Sequence, residues 1–371
     1  MIPYILLIFL PLLFSFLRFS TRNGVPVIQV GGSRRILESS CVLPVYFFLL
    51  ILLLSLRHDT LGTDLVSYKY YFRRIASLSF GNLGRMGLED LYVVLNWLIS
   101  RVTSDFQVFL AVIAIITVLP IAWLYCEDRE HGFLKIILFM NMSNFVLLFS
   151  GLRQCVALAV GCIAFHYVRE KKPLRFALTA LIALGFHHSA FMIFLYYPLY
   201  YANFKKKHLW YVIPAILLVF VFNRPIFSMA VNILSMFSNE KYAADMSNTG
   251  AYTMLLVFIA FAVFSYVIAD EKHMDREALG LRNYLLTAVV LQGFAPLHTL
   301  AMRLNYYYIL FIPILIPKIF KNAKQFPDDV VLFMKTCFVA FFTAYYLYST
   351  YISCKTGISA LDTYPYIPFW K

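Results

Sequence analysis

Residues 105–125 read DFQVFLAVIAIITVLPIAWLY, from Asp105 to Tyr125. After Asp105 the run holds no charge, and its polar side chains are confined to Gln107, Thr117 and the closing Tyr125. The apolar residues are continuous. They do not alternate in the period of two that an outer-membrane barrel strand needs, nor do they leave the polar face that a surface helix of a soluble protein shows. Coiled as a helix at about 1.5 Å per residue, the run spans roughly 30 Å, the thickness of a hydrocarbon core.

The same pattern recurs along the chain. Apolar runs lie at 2–18, 39–56, 105–125, 133–150, 153–168, 174–187, 189–204, 209–222, 251–269, 283–297, 301–319 and 330–348, so the expectation is an all-α integral membrane protein, a polytopic bundle of about 12 transmembrane helices. Composition agrees, since 61% of the 371 residues are hydrophobic and 14% charged, with a mean hydropathy of +0.74. A soluble domain is nearer half apolar and a quarter charged. No internal repeat, low-complexity tract or Pro/Gly linker separates parts, and residues 1–371 read as a single transmembrane domain.

The net charge of +13 would suggest nucleic acid in a soluble protein. Here more than half of the 32 Lys and Arg fall in one alternate set of short loops: Arg18, Arg22, Arg34 and Arg35; Arg129 and Lys135; Arg169, Lys171, Lys172 and Arg175; Lys205 to Lys207; Lys272, Arg276 and Arg282; Lys318, Lys321 and Lys324. The positive-inside bias makes that set cytoplasmic, which turns both termini outward. No nucleic-acid motif accompanies the charge. Six cysteines (Cys41, Cys126, Cys155, Cys162, Cys337 and Cys354) form no CxxC pair and are expected to pack in the membrane without disulfide or metal. The first run lacks a basic lead and a small-residue cleavage site, so it reads as a retained span.

The outward loops are the longer ones: 57–104 is the largest, and 223–250 the second. Within the first, Tyr68, Tyr70, Tyr71 and Phe72 interleave with Lys69, Arg73 and Arg74, the pattern of a short interfacial helix. Residues 89–101 and 226–237 are apolar but too short to span, and read as re-entrant or interfacial helices. Four outward spots carry ionisable groups where lipid disfavours them: Arg57 with Asp64, Arg153 in Ser150-Gly151-Leu152-Arg153-Gln154, the His187-His188 pair, and Arg303. Such groups cost about 2.5–3.5 kcal/mol on insertion scales and usually face a cavity or a partner. An outward cavity lined by Arg57, Arg153 and Arg303 would suit an anionic substrate, because the planar guanidinium gives bidentate bonds to phosphate. The blander reading of each is a snorkelling Arg57, an Arg153 paired with a helix C-terminus, and histidines that hydrogen-bond at a helix end. Adjacent histidines point to different faces, so one at most enters a cavity. There is no zinc spacing, Walker loop, GxSxG or dinucleotide glycine pattern. Asp328-Asp329 reads as solvated charge.

Taken in order, Arg57…Gly62-Thr63-Asp64…Tyr68, Glu89-Asp90-Leu91-Tyr92 with Leu95-Asn96, Leu152-Arg153-Gln154, His188-Ser189-Ala190, Arg303…Tyr307 and Pro365-Tyr366 resemble the Wzy-type polysaccharide polymerases, specifically the EpsG-like branch. The resemblance covers nearly the whole chain. It implies an integral membrane glycosyltransferase of the bacterial inner membrane, its site facing the periplasm and needing no cofactor. There a growing glycan leaves undecaprenyl pyrophosphate for the non-reducing end of a new lipid-linked repeat unit. It makes Arg57, Arg153, Arg303, Tyr68, Tyr307 and His187 candidates for binding the pyrophosphate or substrate. His188, Asp64 and Glu89 are candidates for the base, with Glu89 ranked last because it could serve only to cap a helix. The lipid-linked oligosaccharide, membrane lipid and a chain-length-regulator protein become candidate partners. The rival readings are an O-antigen ligase, whose long outward loop comes late in the chain, a flippase or transporter, which would place charge at the midplane and show repeats, and a membrane-bound acyltransferase.

Overall fold

The computed structural model describes residues 1–15, 17–22, 25–30, 41–237 and 252–371. Arg34, Arg35 and the part of loop 223–250 beyond Phe237 lie outside the described residues. The rest folds as α1 (Ile2–Ser15), a hairpin of β1 (Leu17–Arg22) and β2 (Val25–Val30), α2 (Val42–Ser55), α3 (Leu65–Ala76), α4 (Asp90–Ser100), α5 (Phe106–Cys126), α6 (Gly132–Asn141), α7 (Ser143–Ser150), α8 (Leu152–Arg169) and α9 (Pro173–Phe186), then α10 (Tyr196–Tyr201), α11 (Leu209–Val221), α12 (Asn223–Phe237), α13 (Tyr252–Ile268), α14 (Arg276–Gln292), α15 (Thr299–Ile309), α16 (Ile312–Lys321) and α17 (Asp328–Thr356). Short 3₁₀ segments occupy Phe80–Met86 and His188–Leu195.

The structure is helical, as expected, with one exception. The first helix stops at Ser15 and an antiparallel pair follows, Leu17 opposite Val30 through Arg22 opposite Val25. The second strand, Val-Pro-Val-Ile-Gln-Val, is β-branched, and Asn23-Gly24 between the strands is the strongest short hairpin signal. Among the described residues, α5 and α17 are by length and composition long and apolar enough to cross a membrane, and up to five spans result if each bent pair is one. Those pairs are α6 with α7, bent by 64°, Lys206–Val221 with Asn223–Met229, bent by 77°, and Leu300–Ile309 with Ile312–Lys321, bent by 41°. A break at membrane depth survives only if other groups take up the freed backbone. At the α6–α7 break Asn141 Nδ2 does so, donating to Ile137 O at 2.7 Å and to Phe342 O at 3.0 Å.

The residues group into two compact units, Met1–Phe194 with Leu332–Lys371, and Leu195–Val331. In the first, α1 packs on α2, α2 on α5, α5 on α8 and α8 on α9. The loop between α2 and α5 folds back on this row. Leu65, Tyr68, Phe72 and Ile75 form the buried face of α3, and three of them join Tyr92 and Ile99 of α4, Phe106, Phe109 and Ile113 of α5, and Leu152 and Val156 of α8 in one core. Burying side chains of this size is worth about 1.5–3 kcal/mol each. The apolar face expected to meet lipid is therefore spent on protein. Only the other face stays outside, where Tyr70 is exposed and lies under the Arg74 guanidinium.

In the second unit α14 packs against α10, α13, α15 and α16. Two residues counted among the loop cations are buried instead. Arg282 is fully enclosed in this unit, 2.5 Å from Glu271 and 4.0 Å over the Tyr266 ring. Lys135, in the first unit, is 1% exposed and donates to the Asp128 and Tyr125 carbonyls. Burial of a cation needs such partners, and sequence position alone does not reveal them.

Candidate functional site

The site assembles where three chain breaks meet in the first unit. Gly151, with φ −79° and ψ 62°, separates α7 from α8, so Arg153 stands in the first turn of α8. Helix α9 ends at His187, whose extended backbone (φ −161°, ψ 129°) stops the coil before the 3₁₀ segment. Helix α4 begins after Glu89, again extended at φ −61° and ψ 130°. Each break releases a side chain from its helix face and lets it reach across to the others.

Glu89 is the hub. Its Oε2 accepts from Arg153 Nη1 at 2.6 Å, and its Oε1 lies 2.7 Å from His187 Nδ1 and 3.4 Å from the His188 backbone nitrogen. The Glu89 side chain is 3% exposed, that of His187 14% and that of Arg153 24%, so the cluster opens to its surroundings on the arginine side. Burial alone would raise the Glu89 carboxyl, but the His187 hydrogen bond and the Arg153 charge outweigh it and hold the pKa down to about 2. Glu89 is thus a carboxylate near neutrality and a weak base. It does not cap α4 with its side chain. Arg153 sits at a helix N-terminus, where the dipole repels a cation. The Glu89 carboxylate compensates, which removes the reading of Arg153 as a C-terminal pair.

Tyr68 of α3 stands on the other side of Arg153, and their side chains hydrogen-bond. Burial raises the Tyr68 pKa against the pull of Arg153. Gln154 Nε2 reaches Ser189 Oγ at 3.3 Å, a second tie between α8 and the turn after α9. Approach of α4 to α9 depends on Gly185: a Cβ there would lie 2.6 Å from Leu91 Cδ1.

Asp64 lies beside this cluster, one helical turn before Tyr68. Its carboxylate accepts from Ser150 Oγ at 3.1 Å, and its backbone N–H donates to the same oxygen at 3.1 Å. Among the described residues no cation pairs with it. Gly62, two residues earlier, has φ +127° and presses against the Phe149 carbonyl, 2.1 Å from where a Cβ would stand. The Gly-Thr-Asp stretch is thereby pinned to the end of α7.

The structure brings together Glu89, Arg153, His187 and Tyr68, with Asp64 adjacent. His188 joins through its backbone, its side chain being exposed. Arg57 does not line the same opening. It is 2% exposed, donates from Nη1 to Leu148 O at 2.9 Å and packs on the Phe149 ring, and burial lowers its pKa to about 10. Arg57 neither snorkels nor faces a cavity; it staples α7 to the segment after α2. Arg303 and Tyr307 belong to the second unit, Arg303 exposed on α15 and Tyr307 fully buried, its carbonyl accepting from Tyr196 Oη at 2.8 Å.

One contributor went unread. Residues 357–371 fold over the segment after α2. His58 N donates to Ile367 O at 2.8 Å, Phe369 N to Leu56 O at 2.9 Å, Tyr366 Oη to Leu53 O at 2.9 Å, and Thr63 Oγ1 to Asp362 Oδ2 at 3.1 Å. The sequence signal was the Pro365-Tyr366 pair; its partners were not legible.

Among known families, the model of the EpsG family matches residues 41–368. No curated protein and no solved structure matches the chain.

Proposed function

The chain belongs to the EpsG family, exopolysaccharide and O-antigen polymerase-like membrane proteins, and from that premise we propose that it is the polymerase itself. It transfers a growing glycan from undecaprenyl pyrophosphate to the non-reducing end of a new lipid-linked repeat unit, at the periplasmic face of a bacterial inner membrane. A bundle of about twelve crossings, counted from the apolar runs of the sequence, with the Lys- and Arg-rich loops inside, turns the Glu89 cluster outward. A chain-length-regulator protein is a partner in keeping with that role.

The observation that carries the reading is Arg153. Its guanidinium is fixed by Glu89 on one side and Tyr68 on the other, yet remains a quarter exposed. A fixed, part-exposed fork is what a pyrophosphate leaving group needs, because donors already aimed at developing charge cost no reorganisation during the reaction. The pyrophosphate leaves without help from a strong acid. Asp64 and the histidines stand on the same patch and supply candidates for the acceptor's base.

The test is gel analysis of lipopolysaccharide from a strain lacking this chain. The polymerase reading expects lipid A-core capped with a single repeat unit. Bare core would make the protein a ligase instead, and unchanged long polymer would overturn both readings.

A further inference from the structure

We infer that His187 is the catalytic base of this reaction and that Glu89 is its positioning residue. The inference rests on the polymerase reading above and deepens it. Glu89 Oε1 lies 2.7 Å from His187 Nδ1. A carboxylate accepts and cannot donate, so Nδ1 carries the proton and the lone pair of the neutral ring sits on Nε2. The second Glu89 oxygen is held by Arg153 and its first also receives the His188 N–H, which leaves the carboxylate little freedom to turn. His187 is thereby fixed in one tautomer and one ring orientation.

The chemistry balances on these groups. The acceptor hydroxyl gives its proton to His187 Nε2 as its oxygen bonds to the anomeric carbon of the donor. The anomeric C–O bond to pyrophosphate breaks, and its electron pair leaves with polyprenyl pyrophosphate beside Arg153. At that moment His187 is an imidazolium paired with the Glu89 carboxylate, and the departing anion is met by Arg153. Water then removes the proton. Glu89 stays ionised throughout, as an orienting carboxylate must. Among the described residues, the charged or titratable groups around His187 include Glu89 from α4, Arg153 from α8, Tyr68 from α3 behind Arg153, and His188 beside it in the chain. Asp64 is the rival base. It is held by Ser150 and lacks an orienting anion–imidazole relay.

The experiment uses the full-length protein in nanodiscs with lipid-linked repeat units extracted from a deletion strain, and farnesyl pyrophosphate as a binding probe. His187→Gln is expected to lower turnover by about 10²–10⁴ while probe affinity stays within a few-fold of wild type. Glu89→Gln removes the anion that favours the imidazolium, so the acid limb of the pH–rate profile moves to lower pH; a merely structural glutamate would change the rate without moving the limb. Turnover of His187→Gln within a few-fold of wild type overturns the inference, as does an inactive Asp64→Asn beside an active His187→Gln, or an unmoved acid limb in Glu89→Gln. Wild-type protein that forms no polymer from the repeat units overturns the polymerase reading itself, and that result is distinguishable because it precedes any substitution.

Discussion

Glu89 and His187 are in direct contact, Oε1 to Nδ1 at 2.7 Å, although 98 residues of chain separate them. The contact exists because α4 and α9 approach closely at Gly185, where no side chain intervenes. Gly185→Val would press on Leu91, and overpacking of this kind costs about 1–3 kcal/mol. We expect the variant to insert in the membrane at near-normal level yet to lose long-chain polymer, measured by gel. Normal polymer from Gly185→Val would show that the α4–α9 approach does not set the site.

Arg153→Ala should abolish long polymer without lowering the amount of membrane protein. Arg153→Lys should restore only part of it, since a point charge cannot reproduce a fork that holds Glu89 and still meets phosphate. Full activity of the alanine variant would place the pyrophosphate seat elsewhere.

Arg57 should behave differently. Its guanidinium satisfies a buried carbonyl, and leaving such a group bare costs about 1–3 kcal/mol. Arg57→Ala is expected to lower thermal stability and membrane abundance together, with polymer falling in proportion to the protein that remains. Loss of polymer at wild-type abundance would return Arg57 to the substrate.

Acid should unlink the Glu89 cluster in a defined window. The folded-state pKa of about 2 lies below the ordinary glutamate value of about 4.3, so the stabilisation is complete above the ordinary value and is lost as pH falls through the folded one. Thermal unfolding of wild type and Glu89→Gln in detergent should differ most near neutrality. The gap should narrow below about pH 4 and close near pH 2. A gap that stays constant from pH 6 to pH 3 would mean the contacts are not ionic.

Reporter fusions after Lys172, Lys207 and Lys321 should read as cytoplasmic, and fusions within 57–104 or after Lys355 as periplasmic. A cytoplasmic signal from 57–104 would put Glu89 in the wrong compartment and end the site proposal.

Hydropathy made most helices legible, because continuous apolarity is a property of each run alone. It passed over the β1–β2 pair, since it weighs how apolar a stretch is and ignores its period and its Asn-Gly turn. The site was legible in its members and not in its bonds. Glu89, Arg153 and Tyr68 were all visible as polar groups at outward helix ends. That Glu89 would be the hub, and His187 the histidine within reach, depends on the residue at which α9 stops coiling, and hydropathy, averaged over a window, does not resolve a single residue. The arginines show the same limit. Arg57 and Arg153 look alike in sequence, and only burial tells that one holds a backbone carbonyl while the other keeps part of its fork open.

The strap formed by residues 357–371 has a consequence for biosynthesis. These residues follow α17 in the chain, so they can pack on the segment after α2 only once every helix before them has been made. The segment around Gly62-Thr63-Asp64 leaves the ribosome early and must wait for Asp362, Tyr366 and Phe369 to arrive before its backbone finds those partners. That packing is therefore completed only after α17 has been made. A change that crowds Phe369 would act on the keystone of that packing, whereas an insertion into a loop remote from it would leave it alone.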